Sequence, residues 1–296
     1  ISLYAAQCGK KPVVLAGRNA HKAFVNACAL LDIGIEWIYP DDEQSYIACN
    51  ITAQQISERL AGQNGRITAV YITSPDYLGN MQNIAAIARA CHESGALLSV
   101  DNAHGAYLKF MPTPMHPMDL GADICCDSAH KTLGVITGGA YLHISVSAPA
   151  VLAERAKASF SVFGTSSPSY LILQSLDAAN GTTEAFRNEL RTFLPEADSL
   201  KAKLAAHGFE LAGGEALKLT LKPKSFGYSG QDIAATLEAA NIYPEFYDPD
   251  YIVLMLSPRH SERELDALCD TLCSLPRRAP IAVSYTHLRA HETSAH

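Results

Sequence analysis

The chain has 296 residues, 48% apolar and 18% charged, with a formal net charge of -7. That is enough apolar mass for one large domain, or a large and a small one. The acidic balance and the short basic runs, Lys10-Lys11 and Arg277-Arg278 without flanking aromatics, exclude an electrostatic nucleic-acid binder, and no stretch approaches the roughly 20 apolar residues of a membrane span.

The chain opens in a helix-like run, ISLYAAQ (1–7), with no methionine and no signal-peptide pattern. Short apolar runs follow: VVLA (13–16), WIYP (37–40), ITAVYI (67–72), ALLSVD (96–101), DICCDS (123–128) and GGAYLHI (138–144). Between several of them lie amphipathic stretches such as 84–93, apolar at three- and four-residue spacing. Buried strands alternating with helices predict an α/β fold, a mostly parallel sheet sandwiched by helices. A turn-rich stretch, FGTSSPSY (163–170), leads into a helical pattern over 171–193 that Pro195 is expected to end.

Further on, strands near 218–222 and 252–256 alternate with helices near 231–240 and 262–275. The expected organisation is a large domain over 1–194, a small α+β domain over 195–280 and a non-native or disordered tail over 281–296. The stretch SYTHLRAHETSAH (284–296) has no core-facing period and is set aside as foreign to the fold, its histidines included.

Eight cysteines include no CxxC pair, which argues against a zinc site, and they read as buried free thiols of a reducing cytosol. His104, His130 and His143 lack the spacing of a zinc hydrolase, so no metal is expected.

Chemistry in such sheets gathers at the carboxyl ends of strands. Two segments fall there, Asp101-Asn102-Ala103-His104-Gly105-Ala106 and Asp127-Ser128-Ala129-His130-Lys131-Thr132. Lys131, just beyond a buried strand, would be a partly desolvated amine suited to imine formation. Asp101, thirty residues earlier, supplies an acid. Pyridoxal 5'-phosphate (PLP) needs a lysine for its aldehyde and an acid for its pyridine nitrogen. Its phosphate needs hydroxyls such as those of Ser128 and Thr132.

The stretch 99–143 resembles the ornithine/lysine/arginine decarboxylases among fold-type I PLP enzymes. It carries DNAHGA (101–106), GAD (121–123), SAHKTL (128–133) and GGAYLH (138–143). GRNAHKAF (17–24) and TSSPSYLILQSLD (165–177) are similar to two further family segments. The resemblance implies a PLP-dependent transferase-like large domain in which Lys131 forms the internal aldimine and Asp101 pairs with the pyridinium nitrogen. His21 would stack on the ring and Ala103 would pack on its other face. Ser128 and His130 would lie beside the phosphate or the lysine, and His104 would touch substrate or fill space. Thr165 and Ser166 would reach the partner's cofactor in a homodimer with composite active sites.

The reaction implied is α-decarboxylation of lysine, ornithine or arginine by a cytoplasmic enzyme, with Glu245 as acid for a cationic side chain. An aminotransferase of the same fold, with Arg259 gripping the α-carboxylate, is the alternative; a catalytically silent homologue is another, against which the retention of Asp101 and Lys131 counts. The family's phosphate-binding loop would precede Ile1, so the chain reads as an N-terminally truncated fragment expected to bind PLP weakly.

Overall fold

The computed structural model describes residues 1–40, 45, 47–63, 65–165 and 167–282. Two units form. The first takes Ile1–Tyr77 and Met81–Phe186; the second takes Leu78–Asn80 and the chain from Arg187 onward. The division thus falls eight residues before the expected boundary at 194 and includes a three-residue excursion the sequence does not announce.

In the first unit, six strands form one sheet: β1 (Val13–Gly17), β2 (Gly34–Ile38), β3 (Ala69–Thr73), β4 (Leu97–Asp101), β5 (Ile124–Asp127) and β6 (Tyr141–Ile144). Their order is β2-β1-β3-β4-β5-β6. All neighbours run parallel except β5 and β6, whose pairing is antiparallel.

Side chains alternate across the sheet. Val70, Ile72, Leu98 and Val100 join a buried cluster with Ile56 and Leu60 of α3 (Ala53–Leu60) and Ile84, Ile87 and Cys91 of α4 (Ile84–Glu93). On the opposite face, Val14, Ala69 and Leu97 pack with Tyr4 of α1 (Ser2–Gln7), Phe24 of α2 (Lys22–Leu30), and Tyr71. The sheet is therefore covered on both faces, as a parallel sheet must be. Helix starts follow local chemistry: Thr52 and Gln55 form a capping box for α3, and the Asn83 side chain accepts from Ala86 N–H at α4.

After β5 comes a single helical turn, α5 (Ala129–Thr132), then β6, α6 (Ala150–Phe163), α7 (Tyr170–Gly181) and α8 (Thr183–His207). The helical pattern expected over 171–193 is broken at Thr182, and α8 runs straight through Pro195. Pro195 and Arg191, whose carbonyl loses its i+4 partner, lie on the exposed side of the helix, where solvent is available to that carbonyl. Phe193, Ala197, Leu200 and Leu204 bury one face on both sides of the proline and hold the helix together.

The second unit pairs β7 (Glu210–Ala212), β8 (Lys218–Lys222), β9 (Phe246–Tyr247) and β10 (Ile252–Met255) in the order β7-β8-β10-β9, all antiparallel. Its helices α9 (Gly230–Ala239) and α10 (Glu262–Cys273) each start on a capping box. Leu78–Asn80 is tied in by hydrogen bonds: Thr220 Oγ1 donates to Leu78 O, and the N–H groups of Gly214 and Glu215 to Gly79 O.

All eight cysteines are free, but not all are buried as expected. Cys8 and Cys126 are exposed and Cys273 is half-buried. The expected foreign tail, 284–296, lies outside the described residues.

Candidate active site

Asp101 is the last residue of β4, and β4 lies beside β5, which delivers Ser128 and α5. Tyr71 Oη donates to Asp101 Oδ2 at 2.7 Å, and Ala103 N–H to Oδ1 at 3.1 Å. Lys131 sits on α5, where its N–H donates to Ser128 O and the N–H of His130 to Gly139 O. Its Nζ lies 3.1 Å from His104 Nε2, a bond that an ammonium donates when Nε2 is the unprotonated nitrogen. Tyr77 meets the His104 ring edge-on, centroids 5.3 Å apart. Burial first, and then the Lys131 charge, push the His130 imidazole below its ordinary range, so it is neutral near pH 7.

Two hydroxyls complete the strand ends. Thr73 is the register partner of Asp101, and Thr132 follows Lys131. Both oxygens are buried and have no hydrogen-bond partner among the described residues. An unmet buried polar group costs about 1–3 kcal/mol. These positions favour a polar ligand.

Behind this edge lies a second network. Asp127 Oδ2 accepts from His116 Nε2 at 3.0 Å and His143 Nε2 at 2.9 Å, while Oδ1 accepts from Asn102 Nδ2 at 2.7 Å. Burial alone would raise the Asp127 pKa; the bonds from His116, His143 and Asn102 outweigh it and hold the carboxyl well below the usual range. Asn102 in turn fills the turn before Gly105, where any Cβ would overlap Asn102 Oδ1.

Among the described residues, His116, Cys125 and Asp127 are the one group with donor atoms close enough for a metal, within 4.8 Å. Yet His116 Nδ1 accepts from Met118 N–H at 3.3 Å, which leaves the proton of the neutral ring on Nε2, facing Asp127. That tautomer donates a hydrogen bond and offers no lone pair to a metal there. The cluster is a hydrogen-bonded network.

His21 caps α2, its Nδ1 accepting from Ala23 N–H, and the residue is exposed. Thr165 is exposed, and its Oγ1 accepts from Ser167 N–H, while Ser169 occupies the cap position of α7. Ser166 lies outside the described residues. Glu245 and Arg259 belong to the second unit and are exposed. Glu245 N–H donates to Val253 O, and Arg259 Nη2 lies 3.9 Å from Glu189.

A family model for the major domain of Orn/Lys/Arg decarboxylases matches residues 2–222. The chain belongs to the Orn/Lys/Arg decarboxylase family. Among its relatives, the uncharacterised protein YaaO of Bacillus subtilis is 30% identical over 279 residues, 90% of this chain and 57% of that protein. An arginine decarboxylase of the same organism is 26% identical, covering 94% of this chain and 59% of the relative. The chain therefore spans a little over half the length of the curated relatives it matches. Among solved structures, lysine decarboxylase A from Pseudomonas aeruginosa superposes with a TM-score of 0.76 at 17% identity, over 92% of this chain and 46% of that one. A serine palmitoyltransferase with a PLP internal aldimine gives 0.70 at 13% identity, over 92% of this chain and 68% of that one. The fold is that of the PLP-dependent transferases.

Within this decarboxylase-family scaffold, sequence reasoning missed Tyr71, Asn102, His116 and Asp127. Tyr71 sits inside an apolar run and does not stand out by position; Asp127 closes one, as Asp101 does, but lies just outside the SAHKTL motif. A signal was present at Asp127: a carboxylate at alternate spacing from a buried cysteine on a strand requires a partner.

Proposed function

We propose that this protein decarboxylates a basic amino acid, lysine, ornithine or arginine, with PLP held on Lys131. One observation carries the reading: Asp101 and Lys131 stand at the carboxyl ends of adjacent parallel strands, with His104 in hydrogen-bond contact with the amine. The partnerless hydroxyls of Thr73 and Thr132 fit a ligand rich in polar oxygens. Family membership supports the reaction class.

When bound, PLP supplies an electron sink for the bond broken at the substrate's Cα. Asp101, its carboxylate held from both sides, keeps a proton on the pyridine nitrogen. Lys131 would hold the cofactor and, once substrate has displaced it, its freed amine would return a proton to Cα, a proton it would share with His104. Ser128, Thr132 and the neutral His130 bind phosphate oxygens. His21 would flank the ring on one side and Ala103 on the other. Thr165 reaches a second copy's site in a cytoplasmic homodimer. Free cysteines are compatible with that compartment, and among the described residues no helix is long and apolar enough to cross a membrane.

The test is a PLP titration of the full-length protein followed by visible absorbance, with Lys131→Ala as control, and an assay of carbon dioxide against keto acid with the three basic amino acids. Lysine-bound absorbance absent from the variant, and carbon dioxide without keto acid from the full-length enzyme, are expected. Identical spectra for both proteins refute the cofactor site; keto acid as product refutes the reaction.

A further inference from the structure

Asp101 is gripped from a direction that the family motifs do not mention. Tyr71 stands two register pairs before Thr73, opposite Ser99, and so shares a sheet face with Asp101. From there its hydroxyl reaches Asp101 Oδ2 at 2.7 Å. The other oxygen takes the Ala103 N–H. With one donor on each oxygen, the carboxylate cannot turn about its Cβ–Cγ bond without losing a bond, yet lone pairs remain for a third donor. The phenol itself is immobilised: the Phe24 ring stacks on it with centroids 4.0 Å apart and planes 17° from parallel. Phe24 lies within the first turn of α2, whose cap is His21.

We propose that Tyr71, clamped by Phe24, is a positioning residue that fixes the Asp101 carboxylate for the pyridine nitrogen of the cofactor and ties it to the helix carrying His21. Burial first, and then the Asp101 charge, push the Tyr71 phenol well above its ordinary range, so it remains a donor throughout the working pH. Tyr71→Phe keeps the stacked ring and removes only the hydroxyl.

This inference rests on the PLP reading, and its test separates the two. PLP dissociation constants and the pH dependence of the visible absorbance are measured for the chain, Tyr71→Phe, Asp101→Asn and the double variant. Tyr71→Phe is expected to bind PLP roughly 10- to 100-fold more weakly, the span of a hydrogen bond to a charged group, and to shift the pH profile. In the Asp101→Asn background the same change should have little further effect, because the two residues act as one. Phe24→Leu should weaken binding in the same direction. Wild-type affinity and pH profile in Tyr71→Phe, or an equal loss in both backgrounds, overturns the positioning role. Wild-type protein with no Lys131-dependent absorbance overturns the cofactor reading itself, and this role with it.

Discussion

Lys131 Nζ and His104 Nε2 are 3.1 Å apart, although 27 residues separate them in the chain. The contact joins the turn after β4 to the turn after β5 and makes His104 a direct proton partner of the amine. Replacing His104 by Gln keeps a polar side chain but removes the ring that exchanges the proton. Carbon dioxide release should fall about 100-fold or more, the usual scale of general acid–base assistance, while PLP stays bound. Unchanged turnover would reduce His104 to a space-filling residue.

Asp127 holds three elements at once: the Asn102 turn, β6 through His143, and the segment of His116. Asp127→Asn should destabilise the first unit by about 2–4 kcal/mol, read by urea unfolding. The acid dependence has a definite sign. A carboxyl held below its unfolded value contributes stability above about pH 4 and loses it as pH falls through the folded value. The wild-type chain should therefore weaken with acid below about pH 4, and the variant should lack that component. Parallel acid profiles for the two would refute it.

Cys126 is exposed at the surface and is the register partner of Asp101. Protein packed around its sulfur, then the Asp101 and Asp127 charges, push the thiol up to about 11. At pH 7 only about one molecule in ten thousand carries the thiolate. Mass spectrometry after brief iodoacetamide treatment should find Cys126 largely unmodified, and faster alkylation in Asp101→Asn.

Gly105 is required for space, since a side chain there meets both Asn102 and Pro75. Gly105→Ala should cost about 1–3 kcal/mol and disturb the His104 turn, so PLP absorbance should weaken along with thermal stability. A variant as stable as wild type would show that the turn can relax.

α7 buries none of its residues, and Tyr170 and Leu171 are 86% and 67% exposed. An apolar helix face of this kind is suited to a second copy. Leu171→Glu is expected to shift the sedimentation of the full-length protein toward monomer without loss of helix content. A mass unaffected by the change would remove α7 from the interface.

Asp101 and Lys131 were legible in the sequence because a strand that ends in a polar residue places it at the reactive edge of a parallel sheet. Tyr71 was not, because its hydroxyl finds Asp101 only through the β3–β4 register. The partners of Asp127 depend on the antiparallel return of β6 and on a segment 11 residues upstream, neither of which has a local period. Pro195 misled for a physical reason: one missing N–H on an exposed helix side is outweighed by four apolar residues buried along the other.

The excursion of Leu78–Asn80 has a practical corollary for anyone dividing this molecule. The polypeptide passes from one unit to the other three times, so no single cut yields two complete halves. A piece starting at Arg187 would carry Thr220, Gly214 and Glu215 without the carbonyls of Leu78 and Gly79 that receive their protons. Grafting a short peptide equivalent to 78–80 back onto that piece, rather than moving the cut, is the route to a self-sufficient second unit.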